Sequence, residues 1–433
     1  MNLQERDRAI MWHPLTQEKT AAWPIPIRRA KGSYVYDEDD RAYLDLISSW
    51  WVNLHGHAHP DIAEAIYQQA CTLEHIIFAG FTHEPAVQLC ERLNQLLPDN
   101  LCRFFFSDNG STAVEVALKM ASQYWLNREQ QVRPLFLSFE GGYHGDTFGA
   151  MAVGAKSGFH DAFQHFFFKV LSVPFPETWE GDAAQDAKEA HALLCLDAYL
   201  DEYGEQIAAL IVEPLIQGSS GMRMCSPLFI KRVGERVRAR DILVIFDEVM
   251  TGFGRTGTHF ALDQIGFSPD FLCVSKGISG GFLPLALTVT TETVYQAFLS
   301  DHWQQAFAHS HSYTANPIAC AAGIASLQLL CADETQHAIR AIHTAHHEGL
   351  AYLKQQCTCI EKIRVRGSVA AFDVSGPHAV DFDQTLKAAL LSRGLLLRPL
   401  GHTIYLLPPY SITVDELRGA YEIIAEVLLK IHR

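Results

Sequence analysis

No stretch of the 433-residue sequence carries a run of lysine and arginine, and acidic residues outnumber basic ones by 49 to 34, a formal charge of −15. Such a balance argues against nucleic acid as a partner, since a phosphate backbone requires a local basic surface. No apolar run reaches the ~18 residues that span a bilayer. The nearest approach, Ile318 to Cys331, is short, Ala-rich and interrupted by Ser326 and Gln328, which fits a packed interior helix. The opening MNLQERDRAIMWHP lacks the apolar core of a signal peptide, so the expectation is a cytoplasmic chain with small-molecule partners and no membrane contact. None of the ten cysteines forms a CxxC pair, and Cys357 and Cys359 are separated by one residue. Neither a zinc site nor a disulfide framework is therefore expected. The sequence also lacks a convincing GxGxxG turn between strand and helix, which argues against a Rossmann nucleotide site.

What is present centres on residues 242 to 281. Ile242 to Phe246 is an unbroken apolar run of strand length, the pattern of a parallel strand buried on both faces, and it ends in Asp247 and Glu248. A second run, Phe271 to Val274, ends at Ser275 and Lys276 and meets a loop containing Gly277, Gly280 and Gly281. In open α/β sheets the ligand crevice lies at the carboxyl ends of the strands, so Asp247 and Lys276 are expected to face one site. An arbitrary Asp and Lys at strand ends form a solvated ion pair more often than a catalytic one. Pyridoxal 5'-phosphate, however, requires a lysine amine to hold its aldehyde and a carboxylate to keep its pyridine nitrogen protonated. Asp247 and Lys276 fit those two tasks, and the neighbouring motifs favour them.

Phe104 to Phe106 reads as a short strand that breaks into SDNGST at 107 to 112, after which Val114, Ala117, Leu118, Ala121 and Trp125 share a helical face. A strand, a small polar turn and a helix N-terminus make an anion site suited to a cofactor phosphate, although such a turn alone is more often a plain cap. Leu135 to Phe139 leads to EGGYHGDT, where Tyr143 stands at a strand end among glycines and an aromatic ring could stack on a pyridine. Ile207 to Val212 ends in a further acid, Glu213. Upstream, residues 27 to 47 read as a small extended meander, followed by SSWWVNLHGHAHP at 48 to 60. The paired tryptophans are core bulk or the wall of an apolar slot. His55, His57 and His59 alternate faces if extended and need not converge, so no metal site is expected. Residues 176 to 190 read as a polar surface excursion. Beyond about residue 330 the pattern changes to shorter helices and strands, including Ile363 to Arg366, Ala370 to Val374, Leu395 to Arg398 and Thr403 to Leu407. A capping box at Thr413 and Glu416 opens the last helix. The expected organisation is an N-terminal segment, 1–50, packing with a small α+β domain, 331–433, around a large α/β domain, 51–330.

With these residues the chain resembles the class III aminotransferases of the pyridoxal-phosphate fold type I superfamily. More narrowly it is similar to the adenosylmethionine-8-amino-7-oxononanoate aminotransferases, or diaminopelargonic acid synthases, of biotin biosynthesis. The likeness runs from Trp12-His13-Pro14 to Pro408-Pro409-Tyr410; FDEVMTGFGRTG and SKGISGG carry the broad class, and SSWWVNLHGH, SDNGSTAVEVALKMA, GYHGDTFGAM and RPLGHTIYLLPPY carry the narrow one. The resemblance implies a large domain with a mostly parallel sheet, pyridoxal 5'-phosphate as cofactor, no metal, and a homodimer with shared active sites. It implies that Lys276 holds the cofactor covalently and transfers the proton, that Asp247 partners the pyridine nitrogen, that Gly110 and Ser111 hold the phosphate, and that Tyr143 lies over the ring beside the substrate. His311 and Ser312 would reach the cofactor from the neighbouring subunit. Trp51, Ser310, Arg398 and position 15 would meet substrate, Arg398 through its carboxylate, with Asp146, Glu213 and Arg255 in support. The implied reaction is amination of 8-amino-7-oxononanoate, with S-adenosylmethionine as donor and lysine as the alternative. Leu15 is a departure, since relatives often carry a tyrosine there. Another ω-aminotransferase, of the ornithine, aminobutyrate or diamine type, is the runner-up, and the double tryptophan argues against it.

Overall fold

The computed structural model describes residues 1–154, 160–376 and 382–431. Seven strands form the central sheet, in spatial order Leu101–Ser107, Ala286–Thr291, Phe271–Val274, Leu243–Asp247, Ile207–Val212, Leu135–Phe139 and Val170–Val173. All pairings are parallel except the two made by Ala286–Thr291. In the central strand Leu243–Asp247 every residue is buried. Leu243 and Ile245 face a core layer shared with Val114, Ala117 and Trp125, whereas Val244 and Phe246 face the opposite layer with Leu196, Phe229 and Val233. Helices cover both faces of the sheet, and this is why the strand reads as a continuous apolar run rather than an alternating one.

The helix Gly110–Glu129 lies on the first face, and the Trp125 indole on it donates to the Ala208 carbonyl at 2.8 Å. That anchor fixes the helix against the sheet, and its N-terminus emerges at the carboxyl edge. Asn109 caps it, accepting from the Thr112 N–H at 3.0 Å, while the Thr112 hydroxyl accepts from the Asn109 N–H. The Ala-rich helix Pro317–Cys331 is largely buried, and among the described residues no single helix is long and apolar enough to cross a membrane.

Two smaller sheets accompany the large one. Ile27–Lys31, Tyr34–Asp37 and Ala42–Asp45 form a meander, and Leu395–Leu396 adds to it in parallel beside Ala42–Asp45. Ile360–Arg366, Val369–Val374 and Thr403–Leu406 form an antiparallel sheet. The expected strand Leu395 to Arg398 stops after two residues. Its partner ends at Asp45, whose carboxylate turns to accept from the Ile47 and Ser49 N–H groups at 3.1 and 2.6 Å. The polar stretch 176–190 is also tied down more than a surface excursion would be: the Thr178 and Glu180 N–H groups donate to the carbonyls of Met224 and Ile363, and Glu189 is buried. The last helix, Val414–Ile431, opens with the expected reciprocal Thr413–Glu416 bonds. It packs on Asp333–Gln356, where the Tyr421 hydroxyl meets His346 Nδ1 at 2.8 Å.

Candidate active site

Asp247 closes the central strand, and in the parallel neighbour its register partner is Cys273, three residues before Lys276. Both charged side chains therefore reach one cleft of about 710 Å³ at the carboxyl edge of the sheet, together with Trp51, Gly110, Ser111 and Tyr143. Burial holds the Lys276 amine below its ordinary pKa, and the charges of Asp247 and Glu213 oppose that fall. A depressed amine has a larger neutral fraction, which is the form that attacks carbonyls and takes protons. Lys276 and Trp51 both have left-handed backbones, φ 44° and 66°. That conformation costs a non-glycine residue ~1–2 kcal/mol and persists only where packing enforces it. Around Trp51 the packing is close: its ring lies 5.1 Å from Lys276 Nζ, and its indole N–H donates to the Tyr405 hydroxyl at 3.1 Å.

Asp247 does not stand alone. Its Oδ2 accepts from His144 Nδ1 at 2.7 Å and its Oδ1 from the Val249 N–H at 3.1 Å. Burial disfavours a charged His144, but the hydrogen bond and charge of Asp247, with the charge of Glu213, raise it above the ordinary histidine value. Glu213 is itself buried and pushed up to about 7, chiefly by desolvation, with His144 opposing and Asp247 adding. Its two oxygens accept from the N–H groups of Tyr143 and Gly218, both at 3.0 Å, so it fixes the turn that carries Tyr143. Glu248, the other half of the acidic pair, points away from the cleft and accepts from the Ala261 and Leu262 N–H groups at 2.6 and 2.8 Å.

On the opposite wall, Gly110 and Ser111 open their helix. The first i→i−4 bond is made by Ala113 N, so the N–H groups of Gly110 and Ser111 have no helical acceptor. The Ser111 hydroxyl meets Thr147 Oγ1 at 2.8 Å and accepts from the Thr147 N–H at 2.9 Å. A side chain at Gly145, φ 123°, would lie 2.3 Å from that hydroxyl, which is why glycine stands there. Beyond the cleft lining, the Arg398 guanidinium sits 4.3 Å over the Trp50 ring, and among the described residues no carboxylate pairs with it.

Residues 16–428 match the sequence profile of class III aminotransferases. The chain belongs to the class III aminotransferases. It is 50% identical, over 96% of its length and 98% of the relative's, to the adenosylmethionine-8-amino-7-oxononanoate aminotransferase of Synechococcus elongatus. It is 39% identical, over 99% of both chains, to the protein of that name in Helicobacter pylori. A crystal structure of an adenosylmethionine-8-amino-7-oxononanoate aminotransferase from Methanocaldococcus jannaschii superposes with a TM-score of 0.92 at 33% identity, covering 100% of this chain and 99% of that one. The fold is accordingly pyridoxal-phosphate fold type I, and the cofactor of this aminotransferase is pyridoxal 5'-phosphate.

The residues of the cleft fit that group. A buried lysine, a carboxylate held by an imidazole, and a helix N-terminus with unspent N–H donors suit, in turn, an aldehyde, a pyridine nitrogen and a phosphate. Several expected residues lie elsewhere in the single chain. Ser310, His311 and Ser312 do not line its cleft: the Ser312 carbonyl meets His75 Nε2 at 2.6 Å, and His311 Nε2 is buried without a partner. Leu15 is 62% exposed in the N-terminal segment and is likewise not a lining residue. Arg255 is buried outside the cleft, donating to the carbonyls of Pro408 and Asn53 at 2.9 Å each, an arrangement that joins segments rather than binding ligand. Asp146 lines the cleft. Of the three alternating histidines, His57 turns to Asp45 at 2.9 Å, whereas His55 reaches Ser326 Oγ at 3.1 Å and packs edge-on against His59 at 6.2 Å. His144 was not picked out from the sequence, although its place one residue after Tyr143 at a strand end was a usable signal.

Proposed function

We propose that this aminotransferase transfers an amino group to the ketone of 8-amino-7-oxononanoate, giving 7,8-diaminononanoate for biotin biosynthesis, with S-adenosylmethionine as donor. The observation that carries this reading is Arg398, a cation stacked on Trp50 with no carboxylate partner among the described residues, beside the apolar pair Trp51 and Tyr405. The ketone substrate has a long aliphatic body and a terminal carboxylate. Trp51 suits the body and Arg398 the carboxylate, through a bidentate pair. Relatives 50% and 39% identical that bear the corresponding name support the same substrate.

When bound, pyridoxal 5'-phosphate supplies an aldehyde that exchanges for an amine and a protonated ring that accepts an electron pair. Lys276 would hold the aldehyde, release it to the incoming amine, and then carry the proton between donor carbon and cofactor carbon as a neutral base. Asp247, steadied by His144, would hold the proton on the pyridine nitrogen. Gly110 and Ser111 would take the phosphate on their N–H groups, and Tyr143 would close one side of the ring. Ser310, His311 and Ser312 would complete the neighbouring subunit's site in a homodimer. The enzyme would act in the cytoplasm, as a large domain, 51–330, flanked by the paired segments 1–50 and 331–433.

Arg398→Ala separates this substrate from its competitors. Truncating one member of a desolvated charge pair costs about 2–5 kcal/mol. Single-turnover absorption should show that loss in the ketone half-reaction and little in the donor half-reaction. Equal losses in both halves would refute the carboxylate assignment, and no amination of 8-amino-7-oxononanoate by the wild type would refute the function.

A further inference from the structure

His160 has no task in the reaction as derived so far, yet it is 2% exposed and lies against the cleft wall. Its Nε2 is 3.1 Å from Asp146 Oδ1, and its ring lies nearly parallel to that of Tyr143, with centroids 5.9 Å apart and planes at 26°. Phe167 backs it edge-on at 6.5 Å. Burial and, next to it, the nearby Asp146 carboxylate raise the Tyr143 phenol above its ordinary value. The Asp146 side chain lines the cleft and is 64% exposed, whereas that of His160 is 3% exposed. Because a carboxylate only accepts, Nε2 must donate, and Nδ1 is left to find a partner of its own. That Nδ1 is buried and has no partner. An unpaired buried nitrogen is a cost that leucine or phenylalanine at the same place would not bear. A residue present for packing alone gains nothing from the imidazole.

We propose that His160 is a positioning residue: it holds the Asp146 carboxylate against the Tyr143 hydroxyl and so fixes the Tyr143 ring at the cleft. The effect is one of orientation. An exposed carboxylate has several rotamers, and a tether from a rigid, buried donor leaves the one that meets Tyr143. This rests on the proposed place of Tyr143 beside the cofactor ring.

The test uses the holoenzyme. His160→Leu should lower kcat/KM of the ketone half-reaction by up to about tenfold, the worth of one lost hydrogen bond. It should also move the cofactor absorption maximum in the same direction as Tyr143→Leu. His160→Gln, which carries an N–H to the Nε2 position, should restore both. In an Asp146→Ala background, which removes the acceptor, His160→Leu should have no further effect on either readout. If the leucine variant does not accumulate, His160→Gln against His160→Asn gives the same contrast, since asparagine does not reach the Nε2 position. An unmoved absorption maximum in His160→Leu, or equal losses in both Asp146 backgrounds, would overturn the proposal. If Tyr143→Leu itself leaves the absorption unchanged, the assigned place of Tyr143 fails, and the inference falls with it.

Discussion

Replacing Gly110 by alanine sets two physical effects against each other. Alanine is the better helix former by about 1 kcal/mol, so propensity alone favours Gly110→Ala. Its methyl group, however, would lie 2.5 Å from Cγ1 and 3.0 Å from Cγ2 of Val249, well inside the 3.5–4.0 Å at which carbons rest. Neither side can retreat freely. Val249 donates its N–H to Asp247 at 3.1 Å, and the helix of Gly110 is pinned by the Trp125 bond to Ala208 at 2.8 Å. Overpacking of this kind costs about 1–3 kcal/mol, which exceeds the gain in propensity. Relief requires either that the N–H groups of Gly110 and Ser111 leave the cleft or that Asp247 shifts, and both are proposed anchors of the cofactor. Titrating apoenzyme with pyridoxal 5'-phosphate, followed by absorption, should show affinity weakened by about 5- to 150-fold. Val249→Ala removes both offending methyl groups, so the Gly110→Ala/Val249→Ala enzyme should recover most of that loss. Wild-type affinity in the single variant would refute the crowding, and a double variant as weak as the single would show that Val249 is not the obstacle.

Three further outcomes are expected. Glu213 rises to about 7 against an ordinary carboxylate value, so over that interval the folded chain keeps a proton that the unfolded chain has released; its contribution to stability is full below about 4.5 and is lost as pH rises through about 7. Apoenzyme Tm between pH 5 and 8 should therefore fall less in Glu213→Gln than in the wild type, and identical slopes would refute the protonated carboxyl. Mixing Lys276→Ala with Ser312→Ala subunits should restore one unaltered site per heterodimer if sites are shared, and no recovery after demonstrated subunit exchange would exclude sharing. Leu15→Tyr should change the KM for at least one of the two substrates without affecting cofactor affinity; unchanged constants would show that position 15 does not meet ligand.

The parts of the site that were legible in the sequence are those fixed by burial along a single strand. Leu243 to Phe246 must be apolar throughout because helices cover both faces, so the first charge after the run marks the sheet edge, and the same holds for Phe271 to Val274 before Lys276. The SDNGST turn alone reads more often as a plain cap, so Gly110 and Ser111 were singled out by the family resemblance, and both line the cleft. The illegible parts depend on which neighbour turns towards a side chain, and that neighbour is remote in sequence. Asp247 meets His144, 103 residues earlier and two strands along the sheet, past Ile207–Val212. His57, read as one of three alternating histidines, is taken by Asp45, and His55 by Ser326, 271 residues later. The adjacent acids Asp247 and Glu248 show how narrow the distinction is. Both follow the same apolar run, but the backbone turns at the end of the strand, so one side chain enters the cleft while the other is captured by N–H groups 13 and 14 residues on. Those N–H groups belong to the turn entering Ala261–Gln264, and the Phe260 N–H of the same turn donates to Asp263 at 3.0 Å. With the Thr251 hydroxyl at 3.3 Å, three donors converge on Glu248, so it organises the loop between the two strands that carry Asp247 and Lys276. Burial pushes its carboxyl up to about 8, so its hydrogen bonds rather than its charge hold that loop, a role that adjacency to Asp247 could not reveal.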